Sequence, residues 1–171
     1  MSTTTPHQRS AIISVLVENE AGILARVIGL FTGRGYNIDS LTVAPVDPAP
    51  NHSRINIVTS GTDMVIEQIK AQLDRLVQVY RIADLSTQGP HVARELALIK
   101  MVSKGPDRVE ALRLAEAFRA RVIDATLESL VFEMTGNTEK LDAFIDLMRG
   151  LGLAEVSRTG VAAIARGTTT I

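Results

Sequence analysis

The chain has 171 residues, with 18 Lys plus Arg against 19 Asp plus Glu, a balance that offers no electrostatic field to a nucleic acid or an anionic membrane. With no cysteine, disulfides, thiolate chemistry and cysteine-ligated metals are excluded. At 46% apolar residues and a mean hydropathy of +0.17, the chain can build a packed core, and some apolar surface is expected to be covered by a second chain. No apolar run approaches the roughly 20 residues of a membrane helix. Residues Met1 to His7 lack the basic and apolar segments of a secretory signal, so a cytoplasmic location is expected.

Residues 1–8 read as a disordered tail. From Ala11 to Val17 a β-branched, apolar run predicts a strand, stopped at Glu18-Asn19-Glu20. Leu24, Val27, Ile28 and Phe31 then recur at helical spacing between Gly22 and Gly35, which predicts an amphipathic helix with Gly33 and Gly35 as stop signals. Asn37–Val46 and Arg54–Ser60 read as strands joined by the turn-rich Asp47-Pro48-Ala49-Pro50-Asn51-His52. A second helix starts near Asp63, a candidate N-cap, and carries Ile66, Ile69, Leu73 and Leu76 on one face. Val77–Leu85 returns to strand. Ser86 to His91 contains a Gly-Pro pair in a polar stretch, and residues 87–93 are expected to be a linker.

The order then repeats. Glu95–Val102 is a strand, Pro106 opens a helix with Ala111, Leu114, Ala115 and Phe118 on one face, Val122–Thr126 and Leu130–Thr135 are strands, and Leu141, Phe144, Ile145 and Met148 mark a fourth helix before Leu153–Ala165 closes as strand, turn and strand. The expected fold is therefore α+β: two tandem ferredoxin-like (βαββαβ) domains, 9–86 and 94–171. Each would place two helices on one face of a four-stranded antiparallel sheet and leave the other face open to a partner.

Little in the chain suggests catalysis. His7, His52 and His91 lie in the tail, a loop and the linker without a second ligand at metal spacing, so neither a catalytic nor a metal residue is expected. Gly29, Gly33 and Gly35 sit at a helix end rather than between strand and helix, unlike a phosphate-binding loop. Four Phe and two Tyr are too few for a base-stacking sheet face. The first strand-to-helix turn does carry chemistry. A helix start at Gly22, Ile23 and Leu24 offers backbone N–H groups and a positive dipole end to a carboxylate, Asn19 and Asn37 offer amide oxygens to an ammonium, and Ile23, Leu24 and Ile38 offer an apolar wall. Those groups together would suit a free α-amino acid. The same residues read equally well as Asn19 capping the helix and Gly22 easing the turn.

The run Glu18-Asn19-x-x-Gly22-x-Leu24-x-Arg26-Val27, with Leu30-Phe31-x-x-Arg34-Gly35-Tyr36-Asn37-Ile38-x-Ser40-Leu41 behind it, resembles the ACT domain of the small, regulatory subunit of acetolactate (acetohydroxyacid) synthase. The likeness continues through Ser53-Arg54, Arg94 to Lys100, Phe118 to Asp124, Lys140 to Phe144 and Arg166-Gly167. It implies a non-catalytic subunit of branched-chain amino acid biosynthesis that activates the catalytic large subunit and confers feedback inhibition, usually by valine. It also implies a homodimer through paired ACT domains, with the effector between Asn19, Ala21, Gly22, Ile23 and Leu24 of one protomer and Asn37 and Ile38 of the other. Ala21 departs from the Ser or Pro found at this place in relatives. The cofactors, thiamine diphosphate, magnesium and FAD, would belong to the large subunit and none to this chain. A free-standing ACT sensor of another pathway is the alternative. In the second half, Gly105-Pro106-Asp107-Arg108 lacks the Asn-x-x-Gly pattern, and Asp107 would repel a carboxylate. That half is expected to serve dimerisation or contact with the large subunit. Arg108, Arg113, Arg119 and Arg121 read either as a docking stripe or as a solvated helix face.

Overall fold

In a computed structural model of the chain, residues 8–46 and 51–171 are described. They divide into two compact units: one runs up to Ala93 and takes in Val161–Ile171, and the other is Arg94–Gly160. The expected tail lies outside the described residues except for Gln8, which already opens a strand, as do residues 47–50 of the Pro-rich connection.

The first unit is built from β1 (Gln8–Glu18), α1 (Ile23–Arg34), β2 (Ser40–Pro45), β3 (His52–Thr62), α2 (Asp63–Leu73) and β4 (Val79–Asp84), with the sheet order β2-β3-β1-β4. Its strands pair antiparallel, and β1 pairs with β3 from Gln8↔Thr62 to Glu18↔His52. Side chains alternate across a strand, so Ala11, Ile13, Val15 and Val17 all point to the helix side, where they are fully buried. Against them α1 sets Ile23, Val27 and Phe31, and α2 sets Ile66, Ile69 and Leu73. The buried stripe of α1 thus runs through Ile23 at every fourth residue. Ile28, which the spacing placed on the inner face, is 39% exposed. At α2 the N-cap is Thr62, whose hydroxyl accepts from the Val65 N–H, and Asp63 falls in the first turn.

The second unit repeats the plan with the body of β5 (His91–Val102), then α3 (Gly105–Phe118), β6 (Arg121–Ala125), β7 (Ser129–Gly136), α4 (Thr138–Arg149) and β8 (Leu153–Arg158), in the order β6-β7-β5-β8. Ile99, Met101, Phe132, Phe144 and Met148 fill its core. Arg158 closes one side: its guanidinium donates twice to Glu95, at 2.9 and 2.6 Å, and once to Asp142 at 2.6 Å. The Glu95 carboxylate foremost, outweighing desolvation, raises the Arg158 pKa above its ordinary value and keeps the side chain charged.

Two differences from the sequence reading bear on how the chain divides into units. β5 begins at His91, so part of the expected linker is strand, while the N–H groups of Thr87 and Gln88 turn back onto the Asp84 carbonyl. More consequentially, the chain's end groups with the first unit. There β9 (Ala162–Ala165) and its flanks lie on the sheet face away from the helices, where Val161 and Ala163 are buried with Ala83, Leu85, Ile12 and Val58. The Val161 N–H donates to Ser40 Oγ at 3.1 Å, Thr42 Oγ1 donates to the Val161 carbonyl at 3.3 Å, and Arg54 Nη2 donates to the Ile171 carbonyl at 3.0 Å. The face expected to be open is therefore partly covered by the chain itself. Alternating small residues, Val161, Ala163 and Ala165, allow the close approach.

Candidate functional site

The turn between β1 and α1 is shaped by backbone hydrogen bonds. Glu18 N–H donates to the Gln78 carbonyl at 2.9 Å, Asn19 N–H to Asn51 at 2.5 Å, and Glu20 N–H to Glu18 at 3.0 Å. Gly22 is the N-cap of α1, at φ 90° in the left-handed region, where a side chain is strained. A Cβ there would meet nothing within 4 Å, so the space in front of its Cα is open. No side chain caps this helix and its first turn holds no acidic residue. The amide, dipole-positive end of α1 is thus left without a side-chain counterpart. Asn19 is not the cap that one reading of the sequence made it. Its side chain is exposed beside the turn, as is Ala21.

Ile23 departs from its expected role. At 5% exposure it belongs to the buried stripe of α1, so only its backbone faces the turn. Leu24 and Ile38 are partly buried against the same core and keep some apolar surface outside.

Asn37 and Ile38 precede β2 instead of lying in it, because the strand starts at Ser40. The segment is pinned by side chains: Thr59 Oγ1 donates to the Asn37 carbonyl at 2.6 Å, Asn37 Nδ2 donates to Asp39 Oδ1 at 2.5 Å, and Ser60 Oγ donates to Asp39 Oδ2 at 2.7 Å. Sequence reasoning gave Asp39 no role, because the hydroxyl that meets its second oxygen, Ser60, is brought to it only by strand pairing.

The register fixes how far apart the two groups are. Ser40 pairs with Val58, and Val58 with Ile12, whereas the Gly22 turn follows Glu18, which pairs with His52. From Ile12 to Glu18 is six residues, about 20 Å of strand. The chain gathers Asn19, Ala21, Gly22, Ile23 and Leu24 at one end of the sheet and sets Asn37 and Ile38 at the other.

The helix start of the second unit is different in kind. Lys104 is the N-cap of α3, Pro106 stands in its first turn, and so does Asp107. The side chains of three of the four arginines read as a stripe have local partners, and the fourth ends a helix. Arg113 pairs with Glu110 at 2.5 Å, Arg121 pairs with Glu133, Arg108 donates to the Ser129 carbonyl at 3.2 Å, and Arg119 is the C-cap of α3. Of the histidines, His52 packs on Tyr80 with ring centroids 4.3 Å apart, and His91 opens β5. Among the described residues there is no cluster of three or more His, Asp or Glu able to hold a metal, and no helix is long and apolar enough to cross a membrane.

A four-stranded antiparallel sheet carrying two helices on one face, in the order βαββαβ, defines a ferredoxin-like module. The comparisons specify the family. Residues 13–81 match the small subunit-like ACT domain of acetohydroxyacid synthase, and residues 94–167 match the family of the small subunit of acetolactate synthase. The chain is 48% identical over 157 residues to the acetolactate synthase isozyme 3 small subunit of Escherichia coli, spanning 91% of this chain and 95% of that protein. It is 44% identical over 155 residues to a probable acetolactate synthase small subunit of Archaeoglobus fulgidus, spanning 91% and 96%. The crystal structure of the acetolactate synthase small subunit from Thermotoga maritima superposes with a TM-score of 0.84 at 38% identity, over 94% of this chain and 99% of that one. The chain belongs to the acetolactate synthase small-subunit family, as a regulatory subunit whose partner is a catalytic large subunit.

Proposed function

We propose that this chain activates the large subunit of acetolactate synthase and makes it sensitive to feedback inhibition by a branched-chain amino acid, valine foremost. The observation that carries the reading is the open start of α1 at Gly22, with no acidic residue in its first turn and the nearby Glu20 paired with Arg26, which suits a carboxylate, together with the opposite placement of Asn37 and Ile38. A single chain cannot close a site across about 20 Å of sheet. Two chains paired through their ACT domains in opposite senses bring the Gly22 turn of one to Asn37 of its partner and, by two-fold symmetry, form two such sites. Ile28 on α1 and Val43 on the edge strand β2, both exposed, supply apolar surface for that pairing.

In this arrangement the helix amides hold the effector carboxylate, Asn19 and Asn37 accept from its ammonium, and Leu24 and Ile38 flank the aliphatic side chain. Charge-assisted hydrogen bonds of about 1.5–3 kcal/mol each, and about 1.5–3 kcal/mol for the buried side chain, less the cost of association, suit a Kd of roughly 10–100 μM. The effector acts by favouring one state of the paired subunits, a coupling of about 1–3 kcal/mol. Thiamine diphosphate, magnesium and FAD are placed on the large subunit, and the complex in the cytoplasm. The test is to reconstitute the large subunit with and without this chain and to titrate valine. Added chain should raise the rate and valine should lower it again. A rate indifferent to the chain would refute the activating role, and an activated rate indifferent to valine, leucine and isoleucine would refute the sensing role.

A further inference from the structure

The hydrogen bonds around Asn37 assign a part to a neighbour that sequence reasoning passed over. Asn37 Nδ2 donates to one oxygen of Asp39, the other oxygen of Asp39 accepts from Ser60 Oγ, and the Asp39 N–H donates to the Val58 carbonyl at 2.8 Å. The Asn37 backbone is tied separately by Thr59 Oγ1. A carboxylate is an acceptor only, so the Asn37 amide can meet it in one orientation: the reversed amide would set oxygen against oxygen with no hydrogen between them. With its nitrogen committed to Asp39, the amide turns Oδ1 away from Asp39. Donation to an anion also polarises the amide and makes that oxygen a stronger acceptor.

We propose that Asp39 is a positioning residue for ammonium recognition, holding the Asn37 amide so that Oδ1 is presented to the amino group of the effector. This rests on the effector site proposed above and adds to it a basis for selecting amino acids over the corresponding simple carboxylic acids. Asp39 touches no ligand in this scheme and acts through Asn37.

The experiment is a calorimetric titration of the full chain with valine and with 3-methylbutanoate, which is valine without its amine. Asp39→Asn keeps the shape but can donate to Asn37 Oδ1 and turn the amide, so valine affinity should fall about tenfold while 3-methylbutanoate affinity changes less than about twofold. Asp39→Glu, which restores a carboxylate, should return valine affinity to within about threefold of the parent. In the Asn37→Ala background, Asp39→Asn should cost nothing further, as expected of a residue acting through another. An unchanged valine affinity in Asp39→Asn, an equal loss for both ligands, or additive losses in the double variant would overturn the proposal. Tight valine binding that Asn37→Ala leaves untouched, or no valine binding by the parent chain, would remove the effector site and this inference with it. Melting temperatures of the variants separate binding loss from unfolding.

Discussion

The two units share a plan down to its irregularities, yet their helix starts differ in chemistry. Each first strand shifts register near its end, at Leu16/Val17 and at Lys100/Met101. Each last residue also donates its N–H to the segment leading into the fourth strand, Glu18 to Gln78 and Val102 to Gly152, both at 2.9 Å. After that equivalent point the first unit turns through a left-handed glycine into a helix without acid or cap, whereas the second enters α3 through Gly105-Pro106-Asp107. The fold therefore depends on apolar alternation, which both halves have. The proposed site depends on a few turn residues, which only the first half has.

Placing the same charge at both glycines exploits this difference most strongly. Gly22 at φ 90° and Gly105 at φ 59° both have open space where a Cβ would go, so an aspartate fits sterically at each, with more backbone strain at Gly22. Gly22→Asp should raise the valine concentration needed for inhibition by about a hundredfold or more while activation persists, from repulsion at a desolvated site. Gly105→Asp should leave inhibition unchanged, as read by dose-response curves on the reconstituted enzyme.

Gly152 reverses the asymmetry. At φ +102° a Cβ there would lie 2.4 Å from the Val102 carbonyl, whereas in the first unit Glu18 donates the same hydrogen bond to the carbonyl of Gln78, which is not a glycine. Gly152→Ala should cost the second unit about 3 kcal/mol or more, measured by denaturant unfolding. Deleting residues 161–171 should act on the first unit instead. It exposes Ile12, Val58, Ala83 and Leu85 and removes the bonds to Ser40, Thr42 and Arg54, a loss of about 2–4 kcal/mol. Hydrogen exchange should rise along β1 and β3 and stay unchanged along β7. The smallest effect concerns the helix C-caps, Gly35 at φ 69° in α1 and Arg119 at φ 61° in α3. Arg119→Gly should stabilise the second unit by about 0.5–1 kcal/mol, raising its melting temperature.

Periodicity disclosed both βαββαβ repeats because strand and helix spacings are local. It missed the placement of Val161–Ile171, since short alternating residues such as Val161 and Ala163 specify a strand without saying which sheet it lies on. It also assigned Ile28 to the core in place of Ile23, because an apolar residue at the helix start is not yet bracketed by a full turn. At the proposed site, Gly22 was legible from its type and position. Asp39 was not, because its part depends on Ser60, 21 residues away in sequence and brought near by strand pairing.

The claim that the effector site is shared between two chains is tested most directly by complementation. Gly22→Asp and Asn37→Ala should each abolish valine binding alone. Unfolded and refolded together in equal amounts, half the dimers are mixed, and each mixed dimer holds one site with Gly22 and Asn37 both intact. Calorimetry should then recover about one quarter of the parent binding capacity at parent affinity. No recovery from a mixture shown to contain mixed dimers would contradict a site built from two chains.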